Sequence, residues 1–287
     1  MIRLEIVETL SDPGKADRAN EDRFGFNEAC AFVVDGATGL GDRQFMPGFG
    51  SDAAWIAQFA AERLARQLNA TADVVQVIRG ISTQARDTFL QTAGQQPRYA
   101  WPLAALAALH VSDTGLEFIG LGDSVVYLLH ENGEAETFTA LPHAFANEQA
   151  AARLHIERVG GIGVSGSAVN DPQTLEKLRR GRERQNTPEG TVWSLGLVPE
   201  TADHLVRTKI HSNGSATALV CSDGLADLVS LYGRYDAASL VRRAAAEGLA
   251  PLFAELRHME REVDPDGLTY PRYKQSDDTT AILLTIG

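Results

Sequence analysis

The sequence predicts an α+β fold in which two mainly antiparallel β-sheets pack as a sandwich and are flanked by pairs of helices. Apolar strand-like segments follow one another across short turns, and two pairs of segments show the apolar period of amphipathic helices. Strands and helices do not alternate regularly, as they would in a parallel α/β fold. Sheets packed together and covered by helices account for all three observations.

The first third of the chain contains two strands and the first helical pair. Residues 2–6 alternate between apolar and charged side chains, which predicts a half-buried strand, and Cys30–Val34 form a continuous apolar run that ends at a turn. Helices are predicted over Ser51–Leu68 and Asp73–Thr92, because apolar residues fall on one face of each, and Asp73 is a suitable N-cap. We expect these two helices to pair antiparallel.

The remainder of the chain adds most of the strands and the second helical pair. Helices are predicted over Asp236–Glu247 and Pro251–Val263, with Gly248 ending the first of them. Short turns, such as Glu131-Asn132-Gly133, separate the apolar segments. The predicted strands are Leu103–Val111, Leu116–Leu121, Val125–His130, Ala135–Thr139, Asp203–Ile210, Ala216–Cys221 and Thr280–Ile286.

Residues 141–190 show a less regular pattern than the rest. The glycine-rich stretches 160–163 and 165–167 lack the following Gly-Lys-Ser/Thr of a P-loop, so a mobile loop is the simpler interpretation. A dense basic cluster follows, which lies either on a solvated helix face or against a substrate. Its members are Lys177, Arg179, Arg180, Arg182 and Arg184.

Composition restricts the class of protein. The 287 residues suffice for one large domain or two small ones, and 38 acidic against 26 basic residues give a net charge of −12, which disfavours nucleic acids and anionic membranes as partners. No apolar stretch reaches the roughly 18 residues of a membrane span, and the acidic N-terminus does not resemble a signal peptide, so we expect a cytoplasmic protein. Cys30 and Cys221 lie in apolar runs and are predicted to be buried thiols.

Five aspartates stand at the ends of apolar strands, next to turn residues. If these strand ends converge, the clustered negative charge must be neutralised, and hard divalent cations with oxygen ligands do this. The histidines and cysteines show no HxxxH, HxH or CxxC spacing, so the residues favour Mg²⁺ or Mn²⁺ over zinc. The five are Asp22, Asp35, Asp123, Asp223 and Asp277.

Read in order, the motifs around these aspartates resemble those of the metal-dependent Ser/Thr protein phosphatases of the PP2C (PPM) family, in their bacterial form. The resemblance extends over residues 10–287 and implies a single domain, 1–287, with a β-sandwich, a two-metal centre at one end and a variable flap-like segment at about 141–190. The motifs are Asn20-Glu21-Asp22, Val33-Val34-Asp35-Gly36, Gly122-Asp123-Ser124, Ser222-Asp223-Gly224 and Asp277-Asp278-x-Thr280.

The resemblance assigns roles to the first two motifs. It implies that Asp35 bridges two Mn²⁺ or Mg²⁺ ions and that Gly36 offers its backbone carbonyl to them. Asp22 would act largely through metal-bound water, with Glu21 beside it. A water activated by two cations would then attack phosphorus directly, without a covalent intermediate.

The later motifs would complete the metal sites. Asp223 and Asp277 would ligate one of the two ions, and Asp123 matches the carboxylate that binds a third ion in many members. The pair Asp277-Asp278 leaves the ligand ambiguous, and we choose Asp277 because the family uses the first residue of its pair.

Substrate binding is where the chain departs from the family pattern. Arg18 matches the family's phosphate-binding arginine but lies one residue closer to Asp22 than is common, and Lys15 is an alternative. The residue after Gly36 is Ala37, which cannot serve as a general acid.

These features predict a phosphatase acting on phosphoserine and phosphothreonine in proteins, together with a Ser/Thr kinase that produces those substrates. Two alternatives stay open: a catalytically weak protein of this fold that only binds or regulates partners, and a phosphatase of small metabolites.

Overall fold

The computed structural model describes residues 2–165, 170–211 and 214–287. Within these ranges, two antiparallel β-sheets of five and six strands pack against each other, with helices on their outer faces. The predicted α+β sandwich is therefore confirmed.

The strands follow the chain in a meandering order. They are β1 (Leu4–Asp12), β2 (Asp22–Phe26), β3 (Cys30–Gly36), β4 (Leu103–Ser112), β5 (Gly115–Leu121), β6 (Val125–His130), β7 (Ala135–Thr139), β8 (Leu195–Gly196), β9 (Val206–Ile210), β10 (Ala216–Cys221) and β11 (Thr279–Ile286). One sheet has the order β1-β11-β10-β6-β7 and the other β2-β3-β4-β5-β9, with β8 paired to β4.

Helices cover both outer faces and build the segment between β7 and β8. They are α1 (Asp52–Gln67), α2 (Val74–Ala93), α3 (Ala144–Val159), α4 (Ile162–Ser165), α5 (Pro172–Arg184), α6 (Asp223–Ser230), α7 (Ala237–Glu247) and α8 (Ala250–His258). Short 3₁₀ turns occur at Arg98–Ala100 and Pro199–His204, and a π-turn at Met259–Val263 extends α8.

The core has three apolar layers because side chains alternate along each strand. In β3, Phe32 and Val34 pack under α1 and α2, whereas Val33 faces the other sheet. In β10, Leu219 packs under α6, α7 and α8, whereas Val220 faces β3's sheet. Burial of both strand faces explains why these strands are continuous apolar runs in the sequence.

Local capping starts several helices where the sequence predicts. The side chain of Ser51 accepts a hydrogen bond from the Ala54 N–H, which caps α1. Asp73 accepts the N–H groups of Val75 and Gln76 and caps α2. Both helices begin one residue after these caps.

Some element boundaries differ from the prediction. Strand β9 begins at Val206 rather than Asp203, because Pro199 starts a 3₁₀ turn that extends to His204. The short strand β2 and helix α6 were not predicted. The segment predicted as a helix over Pro251–Val263 forms most of α8 and the single π-helical turn that follows it.

The segment 141–190 is more helical than its sequence pattern indicates. Gly160 ends α3 in a left-handed conformation, with φ of 83°, and Ile162 starts α4, so the stretch 160–163 is not simply a loop. In the second glycine-rich stretch, residues 166 and 167 lie outside the described residues. Helices α3 and α5 are joined by Arg158, which donates to Asp171 and Thr174.

The strand register brings all five strand-end aspartates to the same end of the sandwich. In one sheet Asp22 pairs with Asp35, and Leu106 pairs with Leu121 just before Asp123. In the other sheet, Cys221 at the end of β10 pairs with the starts of β6 and β11, and Gly122–Ser124 cross between the sheets at this same end.

Other predictions concern the cysteines and membranes. Cys30 and Cys221 are buried free thiols, as predicted. Across the described ranges, no helix combines the length and the apolar character needed to cross a membrane.

Candidate metal centre

The centre of the site is built on the β2–β3 pair. Asp22 is the first residue of β2 and lies opposite Asp35, the next-to-last residue of β3. Since both belong to a paired ladder, their backbone positions are rigidly related. Gly36 follows Asp35, and an added Cβ there would lie 2.6 Å from the Glu21 carbonyl oxygen, so only glycine permits this close approach.

Asp123 and Asp223 reach Asp35 from the other strands. Asp123 lies in the crossing between the sheets, and Asp223 is the first residue of α6, directly after β10. Carboxylate oxygens of Asp35, Asp123 and Asp223 all lie within 4.8 Å of one another. Asp123 is therefore part of the central cluster and does not stand apart from it.

Asp277 and Asp278 have different partners, which separates their roles. Asp278 accepts the backbone N–H groups of Gly14 and Glu21, at 2.8 and 2.6 Å, and so fixes the loop before β2. The Asp277 carboxylate is bound by Lys274 and contributes to the raised pKa values of Asp22, Asp35, Asp123 and Asp223, whereas Asp278 contributes to that of Asp22. The two hydrogen bonds give Asp278 a structural function, and the choice of Asp277 as the ligand stays a prediction.

Burial and mutual repulsion disfavour the charged form of the clustered carboxylates. Burial raises the pKa of Asp35 well above its ordinary value, and the charges of Asp22 and Asp223 add to the effect. The pKa values of Asp223 and Asp123 are also raised, first by burial and then by neighbouring aspartates. Carboxylates that are buried together favour any cation that can share their oxygens.

Asp22 provides a direct test of whether a cation fits. Its side chain is only 1% exposed, yet neither carboxylate oxygen accepts a well-formed hydrogen bond from a described residue. Burial raises its pKa to about 7, and the charges of Asp278 and Asp277 act in the same direction. An all-oxygen cluster with an unsatisfied buried carboxylate fits Mg²⁺ or Mn²⁺.

Lys274 is a residue of the site that sequence reasoning missed. Its ammonium nitrogen lies 2.7 and 2.9 Å from the two carboxylate oxygens of Asp277. Burial alone would lower the pKa of Lys274, but the charges of Asp277, Glu21 and Asp223 outweigh it and raise the pKa. Lys274 therefore neutralises one of the predicted ligands, and a lone lysine three residues before an aspartate gives no sequence signal of this.

A buried arginine holds the loop that presents Lys274 and Asp277. The Arg272 guanidinium donates to the Asp264 carboxylate at 3.1 Å and to the Glu260 and Gln275 carbonyls at 3.0 Å. Asp264 in turn accepts three backbone N–H groups between residues 268 and 270. This network fixes the chain between α8 and β11.

Two further carboxylates act on the cluster. Glu148 of α3 and Asp227 of α6 contribute to the raised pKa of Asp223, after burial and the nearer aspartates. Asp227 lies one helical turn after Asp223 on the same helix. The spacing of four residues in the sequence could have predicted that both carboxylates face the site.

The predicted phosphate-binding arginine lies at the surface. Arg18 is exposed, and its side chain makes no hydrogen bond or ion pair with the described residues. Its role in substrate binding stays a prediction. Arg182 of α5 belongs to the basic cluster. Burial lowers its pKa, and the negative charges of Glu21 and Asp123 oppose this effect.

Comparison with known proteins identifies the family to which this fold and site belong. The family model of protein phosphatase 2C matches residues 15–264, which is most of the chain. The chain therefore belongs to the protein phosphatase 2C family of metal-dependent phosphatases. No curated protein sequence matches the chain significantly.

Solved structures of bacterial phosphatases share the fold over almost the whole chain. The PPM Ser-Thr phosphatase MsPP from Mycobacterium smegmatis, in complex with cacodylate, is 17% identical with a TM-score of 0.56, covering 98% of each chain. The catalytic domain of the phosphatase PstP, in complex with two manganese ions, is 18% identical with a TM-score of 0.55, covering 100% of this chain and 99% of that one. PppA of Pseudomonas aeruginosa is 17% identical with a TM-score of 0.54, covering 99% and 96%.

The ion pair of Lys274 with Asp277 predicts competition between the ammonium and a divalent cation. We expect Lys274→Gln to bind Mn²⁺ several-fold more tightly than the wild type, because the ion no longer displaces a charge that repels it. The metal-free variant should also unfold at a lower temperature, since one carboxylate loses its counter-charge. Calorimetric titration with Mn²⁺ measures the first effect, with the exposed Lys177→Gln as control; weaker Mn²⁺ binding by Lys274→Gln would mean that Lys274 organises the site instead.

The raised pKa of Asp22 predicts a pH dependence of the metal-free protein. Between the pKa of an aspartate in the unfolded chain, about 3.9, and the value of about 7 in the folded state, the folded protein binds more protons than the unfolded one. The free energy of unfolding contributed by Asp22 therefore falls as the pH rises through this window. Asp22→Asn should remove this loss, so its stability relative to wild type should improve by roughly 1 kcal/mol or more between pH 4 and pH 8 in EDTA.

Thermal or denaturant unfolding at several pH values measures the difference. Asp113→Asn, in an exposed turn, is the matched control and should show no such trend. An Asp22→Asn difference that stays constant from pH 4 to pH 8 contradicts the raised pKa.

Proposed function

We propose that the chain is a metal-dependent protein serine/threonine phosphatase that hydrolyses phosphoserine and phosphothreonine monoesters. The observation that supports this most is the convergence of Asp35, Asp123 and Asp223 within 4.8 Å at one end of a protein phosphatase 2C fold. The unsatisfied carboxylate of Asp22 adjoins this group across the β2–β3 ladder.

The residues divide into those that would hold two cations and those that would position them. Asp35 and the Gly36 carbonyl would serve both ions, with Asp223 and Asp277 completing one of the ligand sets. Asp22 would act through water, and Asp123 would add a ligand for a third ion or for the central pair, since it lies in the same cluster. The manganese-bound relative PstP supports a pair of ions.

The bound cations would supply positive charge for the phosphoryl oxygens and lower the pKa of a water. The chain's own contribution is to hold the ligands at fixed strand ends and to keep Glu21 oriented, since the Thr38 hydroxyl donates to it at 2.7 Å. Burial raises the pKa of Cys30 to about 12 and also raises that of Cys221, so neither thiol is a suitable nucleophile. This supports hydrolysis without a covalent cysteine intermediate.

Phosphoproteins would be the substrates and a Ser/Thr kinase the enzyme that produces them. The family supports this choice, and the predicted cytoplasmic location is compatible with it.

Hydrolysis should require added metal. We expect phosphate release from a phosphoserine or phosphothreonine peptide in Mn²⁺ or Mg²⁺, loss of activity in excess EDTA, and recovery when Mn²⁺ is restored, because oxygen ligands bind these ions reversibly. Sugar phosphates and nucleotides tested in parallel separate a protein phosphatase from a phosphatase of small metabolites. Undiminished activity in EDTA would falsify the metal assignment.

Removal of ligand charge should abolish turnover and leave the fold intact. Asp35→Asn and Asp223→Asn should each lower kcat by about two orders of magnitude or more at saturating Mn²⁺, because the remaining ligands hold the ions poorly. Both variants should remain folded in EDTA and gain some stability there, since a repelling charge is lost. Asp113→Asn is the matched control, and near-normal kcat in either ligand variant would remove that residue from the site.

A further inference from the structure

Helix α5 presents two arginines to the loop that follows Asp35. Arg179 and Arg182 are three residues apart and so share a helix face. Arg179 donates from Nε to the Leu40 carbonyl at 2.8 Å and from Nη2 to the Asp42 carboxylate at 2.6 Å. On the outer side of the helix, Arg180 is exposed and pairs with Glu176. The basic cluster therefore has a solvated face and a face that packs on the loop after Asp35.

The docking of α5 is reinforced at its C-terminal end. Arg98 donates from Nη2 to the carbonyls of Gln185 and Asn186, at 3.1 and 3.0 Å, directly after the helix. With Arg179 bound to the loop, these contacts fix the helix and hence the base of the Arg182 side chain.

Arg182 lies against Thr38, three residues after Asp35, and part of its guanidinium makes no hydrogen bond with the described residues. Its Nη2 donates weakly to the Thr38 carbonyl at 3.4 Å, and the hydroxyl of the same Thr38 donates to Glu21. Its Nη1 is buried and has no hydrogen-bond partner in the part of the chain that the structure describes. The guanidinium therefore lies beside the site with donors that the protein does not satisfy.

The charge state of Arg182 favours an anion as the missing partner. Burial lowers the pKa of Arg182 to about 10, against the opposing influence of Glu21 and Asp123, so the side chain is still cationic at neutral pH. Among the described residues, it forms no ion pair within 4 Å. A buried cationic donor without an acceptor is unfavourable, and a guanidinium binds phosphoryl oxygens with two parallel hydrogen bonds.

We propose that Arg182 binds the phosphoryl group of the substrate, the function that the sequence assigned to Arg18. The inference rests on the proposed function, because it needs a phosphomonoester at the centre. Arg182 is held against the loop after Asp35, whereas Arg18 is exposed and makes no side-chain contact with the described residues. Substrate recognition would then depend on the segment between β7 and β8.

The test compares Arg182→Ala and Arg182→Lys with Arg18→Ala, and uses Arg180→Ala as the control of the same residue type on the same helix. Inorganic phosphate is titrated calorimetrically into each protein loaded with Mg²⁺, and KM and kcat are measured with a phosphopeptide. Mg²⁺ affinity and thermal unfolding are measured on the same samples.

Arg182→Ala should weaken phosphate binding and raise KM, each by about tenfold or more, because the charge-assisted hydrogen bonds between the guanidinium and the phosphoryl oxygens are lost. The effect on kcat should be smaller, since the contact exists in the ground state as well as the transition state. Arg182→Lys should recover part of the phosphate affinity, and Arg180→Ala should match the wild type. Mg²⁺ affinity should not fall in any of them.

Wild-type phosphate affinity in folded Arg182→Ala, or failure of the wild type to bind phosphate at all, overturns the inference. So does a loss of phosphate binding confined to Arg18→Ala, which returns the role to Arg18. If Arg182→Ala does not fold, Arg182→Lys decides, because lysine keeps the charge but lacks the two parallel donors of the guanidinium. Phosphate affinity below that of the wild type supports the inference, and unchanged affinity overturns it. If the wild type binds phosphate through Arg182 but hydrolyses no phosphopeptide, the proposed function fails, and only the assignment of Arg182 as the phosphate-binding residue stands.

Discussion

Repulsion among carboxylates that the fold gathers at one end of the sandwich is the constraint on which the site depends. Asp22, Asp35 and Asp223 are buried enough for their pKa values to rise, and the charges of Asp22 and Asp223 further raise the pKa of Asp35. Two apolar sheets with fixed register hold these charges together, since a strand cannot shift without turning its apolar side chains outward. A bound cation would relieve that repulsion, and an all-oxygen ligand set favours Mg²⁺ or Mn²⁺.

The chain partly offsets this charge with its own cations, and each has a different geometry. The Lys274 ammonium donates to both carboxylate oxygens of Asp277, so it would compete with a metal ion for these oxygens. Arg182 keeps its guanidinium off the carboxylates and donates to a carbonyl, so it adds positive charge without occupying a ligand. The compact ammonium of a lysine can occupy the position of a metal ion, whereas the planar guanidinium of an arginine can donate two parallel hydrogen bonds to the oxygens of a phosphoryl group.

Sequence reasoning succeeded where function depends on local pattern. The strand-end position of Asp35 and the caps Ser51 and Asp73 follow from apolar runs and turn chemistry over a few residues. It could not find Lys274 or choose a role for Arg182, because long side chains reach the site only through the placement of the loop before β11 and of α5. The late start of β9 has a local cause, since the 3₁₀ turn that begins at Pro199 includes Asp203 and His204.

The two parts of the site differ in how they are supported. Asp22 and Asp35 lie in the paired strands β2 and β3. Asp123 and Asp223 follow the strands β5 and β10, whose ends are fixed by ladder hydrogen bonds and by a core on both strand faces. Arg182 comes from α5, which rests on the loop after Asp35 through a few arginine contacts. Under the proposed function, metal binding is therefore a property of the sandwich, and phosphate binding is a property of the segment docked on it. Changes in that segment could alter substrate choice without changing the metal ligands.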